Sequence, residues 1–352
     1  LLSSGAAALG VGALGASALG GPLAGPKVRP VAPTPWKPEP QPLSDSFARG
    51  VNLAHQHVRG RGYGSASAAQ ALDALVDLGI RDVALNPFAY TPSLGSTEIR
   101  HGGDPTLTDD DLARQIEQAH TRGMRVLLKP HLWSGHFWGG DVGNPDIAPP
   151  DWKAWFTAYT DYVVHHARIA RRTGCEGLCV GLEYTRATRE NPGAWAAVAA
   201  ACRAEFPGRV GYAANWYEEY AAFTDWDAFD CVGVNAYFPL RGETLDALVA
   251  SWGEHLDAIE RVAKGKPVVF PEAGYRAVAG ATERPWESGG GPPDLEIQAR
   301  AYEALLRAAA ARPWFQGVYW WKWFTADGPD TDPFVPAGPA QAVLRAWFRQ
   351  AR

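Results

Sequence analysis

Two glutamates in this chain are placed to do chemistry. Glu183 sits in GLCVGLEY and Glu272 in KPVVFPEAGY. Each lies at the end of a short apolar, β-branched run of the kind that forms a buried strand, followed by a loop and a helical stretch. Counted from the first such run, they end the fourth and the seventh. In a closed parallel barrel both side chains would stand at the C-terminal rim, where barrel enzymes keep their chemistry. Two carboxyls facing one cleft are what cleavage of a glycosidic bond needs, one as proton donor and one as nucleophile or base. The plain alternative is a local ion pair at each position, Glu183 with Arg186 and Glu272 with Arg276.

Other polar and aromatic residues fall at the same strand ends. The first run ends with Asn52, His55 and His57, the second with Asn86, and the third with Lys129, His131 and Trp133. Tyr184 follows Glu183, Asn215 and Trp216 end the fifth run, and Asn235 and Tyr237 the sixth. Tyr275 follows Glu272, and the eighth run carries Trp320, Trp321, Lys322 and Trp323. A lone strand-end Asn or His usually caps a turn. Convergence on one rim instead marks Asn52, Asn86, Lys129, His131, Trp133, Asn215, Trp216, Asn235, Tyr237, Trp320, Trp321 and Lys322 as candidate sugar-binding residues. His55-Gln56-His57 also permits a metal reading, because H-x-H ends the first strand of metal-dependent amidohydrolase barrels. That site further wants His after strands five and six and Asp after strand eight. Here those strands end in Asn-Trp, Asn-Ala-Tyr and Trp-Lys-Trp, and His131 and His136 do not complete the set.

The elements that must position these residues alternate regularly. From Phe47 onward eight apolar runs are separated by amphipathic stretches such as ASAAQALDALVDLG, DDDLARQIEQAHTRG and TLDALVASWGEHLDAIERVAKG. The stretch after the fifth run, around Tyr217 to Trp226, is the weakest helix, and PAQAVLRAWFRQA closes the series. Helix-to-strand links are tight, with Gly79, Gly123, Gly174 and Gly265 at helix ends. Strand-to-helix links are long over residues 89–107, 134–149 and 276–293. The pattern predicts a single-domain (β/α)8 barrel of the α/β class over residues 47–352. An open doubly wound sheet would call for a Gly-rich phosphate turn after the first strand, and G-x-G-x-x-G is absent there.

Composition narrows the function classes. The 352 residues are 46% hydrophobic and 20% charged, enough for one large core. A formal charge of −5 gives no basic footprint, so nucleic acid is not an expected partner. The 15 tryptophans exceed the 13 phenylalanines, and those near strand ends could stack on sugar rings. Cys175, Cys179, Cys202 and Cys231 show no zinc spacing and read as buried thiols. The chain does not begin with Met. Residues 1–25 are an uncharged Gly/Ala-rich stretch like the core and cleavage zone of an export signal without its basic start. Residues 26–46 read as a proline-rich linker. The expectation is an exported enzyme, secreted or of the periplasm or cell envelope, without a permanent membrane span.

Taken in order, RGVNLAHQH, LLKPHLW, GLEY, VGVNAYFPL, FPEAGY and YWWKWF resemble glycoside hydrolase family 113, the β-mannanase family of clan GH-A. The likeness runs from about Phe47 to the C-terminus. It implies retaining hydrolysis of a β-glycoside, most simply endo-β-1,4-mannan, with Glu183 as acid/base, Glu272 as nucleophile and their carboxyls about 5 Å apart; a related β-glycosidase of other sugar specificity or exo action is the alternative, and a non-catalytic carbohydrate-binding barrel a remoter one. It implies an oligo- or polysaccharide as partner and requires no metal or organic cofactor. Tyr237 would donate to Glu272 and orient it. Trp321 would floor the cleaved sugar's subsite, with Trp320 or Trp323 as alternatives because strand phase at a barrel end is open by one residue. Lys129, His131, Asn86 and Lys322 would meet hydroxyls, and Trp133 and Trp138 would stack flanking sugars. Most of the clan has Asn directly before the acid/base, and this chain has Leu182.

Overall fold

Pro87 and Pro130 interrupt the second and third apolar runs, and the backbone obeys them. Proline has no N–H for a ladder and restricts the residue before it. The strands are β1 (Ala48–Ala54), β2 (Asp82–Leu85), β3 (Phe88–Thr91), β4 (Arg125–Leu128), β5 (His131–Ser134), β6 (Gly177–Leu182), β7 (Arg209–Asn215), β8 (Val232–Asn235), β9 (Val268–Ala273) and β10 (Phe315–Phe324). Thus RDVALNPF and RVLLKPHLW, each expected as one strand, become β2 plus β3 and β4 plus β5. The first member of each pair stays in the barrel. The second members leave it and pair with each other in parallel, Phe88 opposite His131 and Tyr90 opposite Trp133.

The coordinates are a computed structural model describing residues 36–134, 146–326 and 332–349. The signal-like segment, residues 26–35 of the proline-rich stretch, His136 and Trp138 lie outside the described residues. From Pro38 the chain forms one compact unit. The end of the expected linker lies on the barrel, because Glu39 finds partners there. Its amide donates to Glu303 at 2.8 Å and its carboxylate meets Arg307 at 2.9 Å.

Eight parallel strands close a barrel in the order β1-β10-β9-β8-β7-β6-β4-β2, which returns to β1. This is the expected (β/α)8 architecture. The helices are α1 (Ala66–Asp77), α2 (Asp109–His120), α3 (Trp152–Thr173), α4 (Thr185–Glu190), α5 (Ala194–Glu205), α6 (Glu219–Ala222), α7 (Leu245–Ala263), α8 (Leu295–Ala310) and α9 (Gly338–Phe348). Several start on side-chain caps: Ser65 on α1, a Thr108–Asp111 capping box on α2, Asp151 on α3, Thr244 on α7 and Asp294 on α8. The weak fifth stretch is reduced to the one-turn α6. Helix α4, directly after Glu183, is an element that its short polar sequence TRATRE does not advertise.

The upper ends of the strands are irregular where the candidate residues sit. Register shifts fall between Cys179 and Leu182 on β6, between Gly233 and Asn235 on β8 and between Val318 and Trp320 on β10. Such bulges re-aim the side chains that follow them. Gly181 lies in one of these stretches. A Cβ there would come within 2.8 Å of the rings of Trp195 and Tyr212, so only glycine lets β6 pass between them. All four cysteines are free thiols.

Candidate active site

The two glutamates are brought to one place by Asn235. In the sheet ladder Asn235 is the register partner of Glu272. Its side-chain Nδ2 donates to Glu183 Oε1 at 3.0 Å. Neither glutamate makes the local ion pair that its neighbourhood offered. Arg186 bonds Glu190 one turn along α4 at 2.7 Å. Arg276 is spent on Glu287 and on the carbonyls of Arg284 and Gly289.

Glu272 is 5% exposed and held from two sides. Lys129 Nζ donates to Oε1, and Tyr237 Oη donates to Oε2 at 2.8 Å. Both partners are donors, so the group is held as a carboxylate whose remaining lone pairs can point into the cleft. Glu183 is partly exposed and differently placed. Burial pushes its carboxyl up to about 8, and the charge of Glu272 adds to the effect. Asn235 opposes the rise, Glu219 adds to it and Lys129 opposes it. The two carboxyls therefore sit in different environments, Glu272 met by two donors and Glu183 pushed to keep its proton, which suits a nucleophile and an acid in one site. Glu183 also has φ 56°, a left-handed backbone that non-glycine residues adopt rarely.

Around this pair several buried polar atoms have no hydrogen-bond partner among the described residues. They are Asn52 Oδ1, Asn86 Oδ1, His131 Nε2 and Asn235 Oδ1. Buried polar atoms of this kind ordinarily find a partner, and sugar hydroxyls can supply one. Asn52 is also a strap, its Nδ2 donating to the carbonyls of Pro271 at 2.9 Å and Tyr319 at 3.3 Å. His131 is neutral, pushed well below its usual range by burial and by Lys129. Its ring meets Phe88 at 5.3 Å. Trp133 packs on Phe88 at 4.1 Å and on His57 at 5.1 Å, forming an aromatic shelf on the β3–β5 sheet.

The eighth strand separates its tryptophans by phase. Trp321 is half-buried and lies between two ammonium groups, 5.5 Å from Lys129 Nζ and 5.2 Å from Lys322 Nζ. That puts its ring beside Glu272. Trp320 does not join the cleft residues. Its ring is fully buried and stacks on Tyr302 of α8 at 3.8 Å with an interplanar angle of 8°. Consecutive strand residues face opposite sides, so only one of the two can face the lumen. Lys322 is paired with Asp332 at 2.8 Å, which braces it beside Trp321. Asn215 likewise serves its own turn, its Oδ1 accepting the Tyr217 amide at 2.8 Å. Trp216 stacks on Trp286 of the β9–α8 loop at 5.1 Å.

The H-x-H motif is absorbed by loop packing. His55 Nδ1 accepts the Tyr63 amide at 3.0 Å, and its Nε2 lies 3.2 Å from Thr106 Oγ1. His57 faces Asp104 at 3.4 Å. The cluster of His55, His57 and Asp104 is compact enough to hold an ion. One nitrogen of His55 is already an acceptor and the other faces a hydroxyl, while Asp104 also accepts from Thr106 and Tyr90. The donor set fits a hydrogen-bonded loop anchor and does not fit an open metal centre.

Residues that the sequence did not single out are Glu219 and Tyr212 behind Glu183, and Trp286 beside Trp216. Glu219 lies in EEY, where nothing in the string tells a buried glutamate from its exposed neighbour Glu218. The signal that would find it is the burial of a charge, which only the fold supplies.

Comparisons with known proteins agree with this fold. A search of curated sequences gives no match. Among solved structures, the GH113 β-mannanase AaManA from Alicyclobacillus acidocaldarius, in complex with ManMIm, is 29% identical with a TM-score of 0.76, over 86% of this chain and 97% of that one. Two structures of GH113 β-1,4-mannanase, one a complex, are 27% and 28% identical with a TM-score of 0.74, each over 87% of this chain and 99% of the other. The sequence profile of Glycoside Hydrolase Family 113 matches residues 52–332, a span that includes Glu183, Glu272 and the strand ends around them. The chain belongs to glycoside hydrolase family 113.

Proposed function

We propose that this glycoside hydrolase is a retaining endo-β-1,4-mannanase with Glu272 as nucleophile and Glu183 as acid/base. The observation that carries the reading is the contrast between the two carboxyls. Glu272 accepts from an ammonium and a phenol, whereas Glu183 has burial and a neighbouring charge that keep its proton on near neutrality. In the first step Glu272 attacks the anomeric carbon while Glu183 gives its proton to the departing oxygen. In the second, the ionised Glu183 takes a proton from water, which attacks the same carbon and frees Glu272. Trp321 supports the sugar ring under attack, and Asn86, His131 and Asn235 offer unpaired polar atoms to its hydroxyls. β-Mannan as substrate rests on the likeness to the β-mannanases named above. Action outside the cytoplasm rests on the signal-like character of residues 1–25.

The test is hydrolysis of reduced manno- and gluco-oligosaccharides by wild type and Glu272→Ala, with the products followed by NMR. β-Anomeric product from the mannosides that disappears in the variant is the expected result. Cleavage of glucosides alone would keep the chemistry and change the substrate. Undiminished activity in Glu272→Ala would overturn the two-glutamate mechanism.

A further inference from the structure

The left-handed backbone at Glu183 must be held against a cost of about 1–2 kcal/mol for a non-glycine residue. What holds it converges on one buried side chain outside the catalytic pair. The amide of Glu183 donates to the Ala213 carbonyl at 2.9 Å. The next amide, of Tyr184, donates to Tyr212 Oη at 3.1 Å, and Tyr212 Oη donates onward to Glu219 Oε1 at 2.6 Å. Helix α4, which starts two residues after Glu183, adds Thr188 Oγ1 to Oε1 at 2.8 Å and Thr185 Oγ1 to Oε2 at 3.3 Å. The amide of Asn215, at the end of β7, completes the set on Oε2 at 2.8 Å. Trp195 Nε1 donates to Thr188 Oγ1 at 3.1 Å, so the threonine's own proton is free to go to Glu219.

We propose that Glu219 is a positioning residue for Glu183: it clamps the turn that carries the acid/base and places a buried carboxylate behind it. Each of its oxygens accepts two hydrogen bonds, Oε1 from the Tyr212 and Thr188 hydroxyls and Oε2 from the Asn215 amide and the Thr185 hydroxyl, a donor set that favours the carboxylate. Glu219 is 1% exposed: burial pushes its carboxyl above the usual range, the Asn215 amide and the Tyr212, Thr188 and Thr185 hydroxyls oppose that rise, and the charge of the ionised form is weakly screened by solvent. The charged groups acting on Glu183 are then Glu272 from β9, Glu219 from α6 and Lys129 from the end of β4, with Asn235 of β8 as its direct partner. Those facing Glu219 are Glu183 itself, Tyr212 of β7 and Tyr184. The inference rests on the reading of Glu183 as acid/base.

The experiment uses the full chain as wild type, Glu183→Ala, Glu219→Gln and Tyr212→Phe. Two aryl β-mannobiosides are compared, one with a dinitrophenyl leaving group that needs no proton and one with a methylumbelliferyl group that does. Glu219→Gln removes the carboxylate, so the alkaline limb of its kcat/KM profile should move to lower pH. It should slow the methylumbelliferyl substrate by about tenfold or more, with the dinitrophenyl substrate within roughly twofold. Tyr212→Phe keeps the charge but releases the Tyr184 amide. It should leave the limb in place and slow only the methylumbelliferyl substrate. An unmoved limb in Glu219→Gln, or equal losses on both substrates in either variant, would overturn the proposal. If Glu219→Gln does not fold, Tyr212→Phe decides by the same leaving-group comparison. Full methylumbelliferyl activity in Glu183→Ala would instead remove the acid/base assignment on which the clamp depends.

Discussion

Lys129 and Glu272 form an ion pair in the barrel lumen with side chains 0% and 7% exposed, joining positions 143 residues apart. A buried pair of this kind gains little net stability over an apolar pair, but removing one partner strands the other charge. Lys129 thereby becomes part of the nucleophile's setting and not a free ligand for sugar hydroxyls. Lys129→Met should lower kcat/KM by about a hundredfold or more and cost about 3 kcal/mol in urea unfolding. A variant within twofold of wild type in rate would show that the pair does not set the nucleophile.

The rate should fall on the alkaline side as Glu183 loses its proton. With that carboxyl pushed up to about 8, kcat/KM for a mannan oligosaccharide should decline about tenfold per pH unit beyond it. Glu183→Gln should lose this limb along with most of its activity on poor leaving groups. A limb that persists in the variant would assign the titration to another group.

The same shift has a consequence for stability. A carboxyl whose folded value lies above its unfolded value contributes stability at low pH and loses it as pH rises through the folded value. For Glu183 the loss runs from its ordinary 4.5 up to about 8. Glu183→Gln has no such loss, so its melting temperature relative to wild type should rise between pH 5 and pH 9 by about 2 °C or more. A constant difference across that range would contradict the shift.

Trp320 and Trp321 should separate cleanly although they are neighbours. Trp321→Ala should lower kcat/KM by about tenfold or more while the protein stays folded. Trp320→Ala removes a ring stacked on Tyr302, so it should cost about 3–5 kcal/mol of stability by denaturant unfolding. Any activity loss in it should track unfolded protein. Matching kinetic effects in two equally stable variants would refute the phase assignment.

Chelation should leave activity intact. His55 is tied to the Tyr63 amide and Thr106, so dialysis against EDTA is expected to change the rate by less than about twofold. His57→Ala should act through the shelf it shares with Trp133, raising KM more than it lowers kcat. Loss of activity on chelation with recovery on adding metal would reopen the H-x-H reading.

Much of the fold was legible because its signals are local. Apolar runs, amphipathic stretches, glycine helix ends and long strand-to-helix loops each act over a few residues, and together they specify eight units and the rim on which Glu183 and Glu272 stand. Pro87 and Pro130 were equally local, and their splitting of two strands into four was readable from the missing N–H alone. Strand phase was harder. A bulge between Val318 and Trp320 changes which side chain faces inward, and only the closed ladder with β9 shows it.

What the sequence by itself determined is the barrel, its family and the pair of carboxyls, since these follow from periodicity and from motif order. What only the tertiary structure decided is how each polar side chain is spent. Lys129 goes to Glu272, Lys322 to Asp332, Asn215 to its own turn and Glu219 to the backbone behind Glu183. The physical reason is that burial, charge and hydrogen-bond partners are properties of neighbours in space. In a closed barrel those neighbours come from strands far apart in the chain, and no short-range pattern records which of them will meet.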